Sequence, residues 1–188
     1  MPDPSNLQPE FKYFSAEVFT NVYDGVNQIK MPKSLMILGF SNDKDAAIPV
    51  RHDNYIFRRE VLRDLLAFLR KPNGDALFIT GPTGSGKTSV VNEVCARLNW
   101  PVQLLTLNNR FEFSQLTGHF TYSSQKEGGA PEMTFQYGPL AKAMKYGHVL
   151  VLNEIDLADA GELAGLNDVL EGRPLVLACL LYTSDAAD

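Results

Sequence analysis

Residues 81–88 read Gly81-Pro82-Thr83-Gly84-Ser85-Gly86-Lys87-Thr88 and match the spacing G-x-x-x-x-G-K-[ST] at every fixed position. Each residue type has a task in holding a polyphosphate. Gly81, Gly84 and Gly86 permit positive φ and let backbone N–H groups close around phosphate oxygens. A helix that begins inside the loop adds the positive end of its dipole. Lys87 reaches the β- and γ-phosphates as a point charge, and the Thr88 hydroxyl is a ligand for Mg2+. A second group of chemical residues follows the apolar run His148-Val-Leu-Val-Leu152, in Asn153-Glu154-Ile155-Asp156. Metal-assisted phosphoryl transfer needs one carboxylate near the metal and another to orient the attacking water. Glu154 is the expected water-activating residue. Glu154 and Asp156 would project the same way if the strand stayed extended to Asp156. Asn153 stands where such sites commonly carry Asp; it is neutral, so Asp156 is the expected source of the missing charge. Thr88, Asn153 and Asp156 are the expected metal set. The plainer alternative is that Glu154 and Asp156 cap the next helix.

The elements that must position these residues are legible from Asp53 onward. Asp53 or Asn54 can cap a helix whose apolar positions are Ile56, Val61, Leu62, Leu65, Leu66, Phe68 and Leu69. Lys71-Pro72-Asn73-Gly74 stops it. Ala76–Thr80 is expected as a short buried strand leading into the glycine loop. A helix over about Lys87–Leu98 follows, with Val90, Val91, Val94 and Leu98 on one face. Val102–Leu107 reads as a second strand and His148–Leu152 as a third. His119–Tyr122 and Met133–Tyr137 flank a turn-like Glu127–Pro131 and suggest a hairpin. Gly138–Tyr146 suits a short helix, and a further helix is expected over about Ala160–Leu170, ending at Gly172. Strands alternating with helices imply an α/β fold with a parallel sheet and crossover helices. Before Asp53, Pro2, Pro4, Pro9 and Pro32 break any long period, although Ser34–Phe40 could be a strand.

Composition narrows the class. The chain has 188 residues, 22 acidic against 17 basic, with 45% hydrophobic and 21% charged residues, an ordinary globular mixture. A formal net charge of −5 gives no electrostatic case for sequence-independent nucleic-acid binding. No apolar run approaches the ~20 residues of a membrane helix. Two cysteines, Cys95 and Cys179, make no disulfide framework, and a cytoplasmic location is expected. Cys95 reads as a small core residue. His52, His119 and His148 lack metal-ligand spacing. The basic residues Arg58, Arg59, Arg63, Arg70 and Lys71 lie along a helix with acids between them and read as a solvated or ring-contact face.

The glycine loop, Asn153–Asp156 and the segment between them resemble AAA+ ATPases of the MoxR-like branch, closest to the cobaltochelatase ATPase subunit and its plasmid and phage relatives. Further stretches carry the resemblance: Ile48-Pro-Val50, Asp53-Asn-Tyr-Ile-Phe57, Ala96-Arg-Leu-Asn-Trp-Pro101, Phe135-Gln-Tyr-Gly-Pro-Leu140 and Gly165-Leu-Asn-Asp-Val-Leu-Glu-Gly-Arg-Pro174. It implies a P-loop NTPase three-layer sandwich with a parallel sheet, ATP and Mg2+ as ligands, and assembly into a homo-oligomeric ring, hexameric in many cases. It also implies remodelling of a partner that often carries a von Willebrand A domain. By the same resemblance Glu154 and Lys87 match catalytic positions, Tyr55 and Ile56 lie where adenine is contacted, and Phe111–Tyr137 falls where a hairpin or loop faces the ring pore.

The resemblance covers roughly residues 35–178. The expected organisation is an N-terminal extension over 1–50, a partial AAA+ core over 51–178, and a tail over 179–188 that looks like translated sequencing adapter. The family's sheet order is 5-1-4-3-2, and only strands one to three are readable, so strands one and three are expected to have open edges. The expected function is Mg-dependent ATP hydrolysis driving partner remodelling, with this chain inactive alone. The alternatives are a nucleotide-binding scaffold without hydrolysis and, further off, a small-molecule kinase.

Overall fold

The computed structural model describes residues 11–70, 76–123 and 132–177. The chain divides into two compact units, residues 1–102 and 103–188. The adapter-like tail, Glu127–Pro131 and the Lys71–Gly74 stop lie outside the described residues.

In the first unit, β1 (Phe11–Ser15) runs antiparallel to β4 (Met36–Phe40), with Tyr13 opposite Leu38. β2 (Val22–Asp24) pairs antiparallel with β3 (Asn27–Ile29) and parallel with the two-residue β5 (Phe57–Arg58). α1 (Arg59–Arg70) and α2 (Lys87–Arg97) complete it. The core brings Ala16, Phe19, Val22, Ile37 and Phe57 together with Leu62, Leu65 and Leu66 of α1 and Val90, Val94 and Leu98 of the α2 side. Residues 11–40 thus contribute strands and buried side chains to this core.

α1 starts at Arg59, later than its apolar pattern implies. Phe57 is fully buried and its N–H donates to Asn21 O at 2.9 Å. Pairing with β2 claims residues 57–58 for the sheet before the helix can begin. Trp100 turns the chain after α2, its Nε1–H donating to Leu38 O at 3.1 Å while its ring meets Phe40 edge-on. Ala76–Thr80 forms no strand. Phe78 is 73% exposed and Leu77 40%, and only Ile79 packs against the core. An apolar run becomes a buried strand only where neighbouring strands accept its N–H and C=O groups, and none does so among the described residues.

In the second unit, β6 (Val102–Thr106) pairs with β9 (Val149–Asn153), and β7 (Gly118–Ser123) pairs antiparallel with β8 (Glu132–Tyr137). The expected hairpin is therefore present. α3 (Ser114–Thr117) precedes it and α4 (Pro139–Tyr146) follows, with proline at the helix start and Gly147 in a left-handed cap. The helix expected over 160–170 is broken into α5 (Ala160–Leu163), a 3-10 turn over Ala164–Leu166 and α6 (Asn167–Leu170). Gly165 sits against the Phe113 ring, within 3 Å of where a Cβ would be. Leu107, Phe111, Leu116, Leu140 and Leu166 form the buried centre. β9 is half-buried along its length. No helix among the described residues is long and apolar enough to cross a membrane.

Candidate functional site

Gly81–Ser85 lies exposed between the Ala76–Thr80 segment and α2, and Gly86, Lys87 and Thr88 are half-buried. Gly84 and Gly86 take φ of 77° and 83°. A Cβ at either would meet nothing within 4 Å, so conformation, rather than space, demands glycine there. Gly86 is the N-cap residue of α2, and no side chain caps the helix. First-turn N–H groups of a helix need acceptors that the helix cannot supply. Left uncapped beside a lysine, this end suits an anion. Lys87 Nζ donates to Gly81 O at 2.8 Å and Pro82 O at 3.1 Å, holding the loop closed across its own mouth. Ser85 N–H donates to Pro82 O at 3.2 Å. Thr88 sits half-buried in the first turn of α2. The donor set of backbone amides, an ammonium and a hydroxyl fits a polyphosphate with its metal ion.

Tyr55 and Ile56 belong to the same unit. Tyr55 is half-buried, its ring edge-on to Phe57 at 4.8 Å, and Ile56 is exposed. Burial first, and the Glu93 carboxylate second, push the Tyr55 phenol above its ordinary pKa, so it stays a hydrogen-bond donor.

Asn153, Glu154 and Asp156 lie in the second unit. Asn153 ends β9 and its carbonyl accepts from Leu107 N–H at 2.9 Å. Glu154 then adopts φ 54°, ψ 44° at the N-cap position of the 3-10 turn Ile155–Leu157, with no side-chain capping bond. Extension does not persist to Asp156, so the expectation that alternation carries both acids to one side is corrected. The strand ends at Asn153 and the left-handed residue turns the chain. Both acids are exposed. A left-handed glutamate costs about 1–2 kcal/mol, and such outliers gather at functional sites. Among the described residues, no cluster of three or more His, Cys, Asp or Glu could hold a metal by itself.

The sequence reading missed one constellation on α2. Glu93 and Arg97 are buried, and they pair with each other. Glu93 Oε2 accepts from His52 N–H at 3.3 Å and Oε1 meets His52 Nδ1 at 2.5 Å. Arg97 Nη2 donates to His52 O at 2.9 Å. Burial alone would raise the Glu93 carboxyl, but hydrogen bonds from Arg97 and His52 outweigh it and hold it below the usual range. The signal was available: Glu93 and Arg97 fall among Val90, Val94 and Leu98, so a charged i, i+4 pair sits on the apolar stripe.

Strands and helices around a glycine loop that opens a helix define a P-loop NTPase-like α/β protein. A family model, AAA domain (dynein-related subfamily), matches residues 76–181; this is more than half of the chain, and the chain belongs to that family. That family is one of nucleotide-binding domains. An uncharacterized protein of Staphylococcus saprophyticus is 36% identical over 120 residues, 64% of this chain and 45% of that protein. Uncharacterized proteins of Staphylococcus haemolyticus and Staphylococcus epidermidis are 35% and 36% identical over 97 residues, 52% of this chain and 36% of each. The chain spans less than half the length of these curated relatives.

Proposed function

We propose that this chain is the nucleotide-binding part of an ATP-hydrolysing motor of the MoxR-like or chelatase type, working in a homo-oligomeric ring to remodel a partner protein. The observation that carries the reading is the Gly81–Thr88 loop, with left-handed Gly84 and Gly86 feeding an uncapped helix that begins at Lys87. Backbone amides of the loop hold the phosphates, and Lys87 offsets their charge. Thr88, Asn153 and Asp156 would hold Mg2+, which when bound neutralises charge on the phosphate oxygens. Glu154 orients and deprotonates the attacking water, and its left-handed turn at the end of β9 supports this role. Tyr55 and Ile56 face the base. A von Willebrand A domain protein is the proposed kind of partner. Function is proposed for the cytoplasm.

The test is a titration with Mg-ATP, followed by phosphate release at high protein concentration. Binding that disappears in Lys87→Ala supports the site, and turnover that stops in Glu154→Gln with binding intact supports the base. Hydrolysis by Glu154→Gln at the parental rate sinks the assignment of Glu154. Binding without turnover at any concentration favours the second reading, a nucleotide-binding scaffold, for which the neutral Asn153 is the specific observation.

A further inference from the structure

Arg97 has a side chain with no exposed surface, and the Glu93 side chain is 4% exposed. A buried ion pair seldom adds stability over apolar residues of similar volume. Here there is an added cost, because the buried Arg97 Nε–H has no partner and an unsatisfied buried donor is unfavourable. What the pair achieves is attachment. Glu93 accepts from the backbone N–H of His52, and Arg97 donates to the backbone C=O of His52. That same carbonyl accepts from Tyr55 N–H at 3.1 Å. On the other side, the Arg97 guanidinium lies 4.6 Å over the Phe57 ring, against which the Tyr55 ring packs. Arg97 therefore fixes Tyr55 through its backbone and through its ring, from the helix that starts with Lys87 and Thr88.

We propose that Glu93 and Arg97 are positioning residues for the nucleoside part of the ligand: they lock residues 52–56 to the phosphate-loop helix, so that a purine nucleoside triphosphate is held at both ends. The proposal rests on the reading that Gly81–Thr88 holds the phosphates and that Tyr55 and Ile56 face the base. Neither residue touches the ligand, and the effect is transmitted through the His52 peptide and the Phe57 ring. A brace of this kind acts on the base and not on the phosphates, which separates it from a general contribution to folding.

The experiment compares the affinity of the full chain for Mg-ATP with that for inorganic tripolyphosphate, which lacks a base. The variants are the apolar double substitution Glu93→Met with Arg97→Met, which removes both buried charges together, and Arg97→Lys. A lysine keeps the charge but cannot donate in two fixed directions to Glu93 and His52. In the double variant ATP affinity is expected to fall roughly 10-fold while tripolyphosphate affinity stays within about twofold; Arg97→Lys is expected to lose roughly threefold for ATP alone. Thermal unfolding of each variant shows that the fold is retained. An unchanged ratio of ATP to tripolyphosphate affinity in both folded variants overturns the proposal. A parent chain that binds both ligands equally also overturns it, yet leaves the phosphate-loop reading standing. A parent chain that binds neither removes the phosphate-loop reading, and the brace falls with it.

Discussion

The glycine loop and the Asn153–Asp156 corner are built on opposite principles. The glycine loop takes its shape from its own residues: Gly84 and Gly86 supply left-handed φ, and Lys87 closes the loop onto Gly81 and Pro82. The Asn153–Asp156 corner is instead shaped by distant residues. Its strand is placed by β6, the Leu107 N–H holds the Asn153 carbonyl, and a glutamate is forced into a conformation that suits glycine. A locally encoded loop and an imposed corner should respond differently to substitution.

The largest expected effect lies in the loop. Lys87→Ala removes the only side-chain cation of the loop and should weaken Mg-ATP binding roughly 100-fold or more, about 2.8 kcal/mol, by direct titration. Unfolding temperature should hardly change, since Nζ bonds only exposed loop carbonyls. If the fold collapsed as well, the loop would not be a self-contained unit.

At the imposed corner, Glu154→Gln should leave ATP affinity within about twofold and lower turnover by roughly 100-fold or more. Glu154→Gly sharpens the contrast. It should abolish turnover equally, yet raise the unfolding free energy by about 0.5–1 kcal/mol, the left-handed cost less the added unfolded-state entropy of glycine. Denaturant unfolding measures that gain. A loss of stability would mean that the Glu154 side chain supports the corner.

The same contrast explains what could be read without a structure. Residues 81–88 are legible because glycine, lysine and threonine at fixed spacing specify a conformation and a chemistry together. The α2 helix, the 118–137 hairpin and the β6 and β9 strands were also legible, because period and turn residues agree with where these elements pack. Ala76–Thr80 was not. Its apolar pattern predicts burial, but pairing depends on neighbours that its own residues cannot specify. α1 was read too long because nothing within residues 53–58 shows that Phe57 pairs with β2. The Glu93–Arg97 brace was overlooked because charges on an amphipathic helix are ordinarily assigned to its wet face.

Acid should expose the brace. The Glu93 carboxyl is held below its ordinary pKa, so the folded state binds a proton less readily than the unfolded chain. Its stabilising contribution is complete above the unfolded value and is lost as pH falls through the folded value. Stability should therefore decline below the ordinary glutamate range, about pH 4.3. The double variant Glu93→Met with Arg97→Met should show a shallower decline in urea unfolding across that range. Identical slopes would assign the acid sensitivity to other carboxylates.

The smallest effect concerns Cys95, midway between the brace residues Glu93 and Arg97 on α2. Burial pushes its thiol pKa up to about 12, because a thiolate there would lose its hydration with no cation to compensate. Only the thiolate is alkylated at a useful rate. Raising the pH from 7 to 9 should thus speed iodoacetamide labelling of an ordinary exposed thiol while leaving Cys95 almost unlabelled in the folded chain. Peptide mapping distinguishes it from Cys179. In denaturant, Cys95 should label at the rate of a free cysteine. Rapid labelling of Cys95 under native conditions would mean that α2 detaches from the core. Both the brace and the uncapped helix end beside Lys87 depend on that helix staying in place.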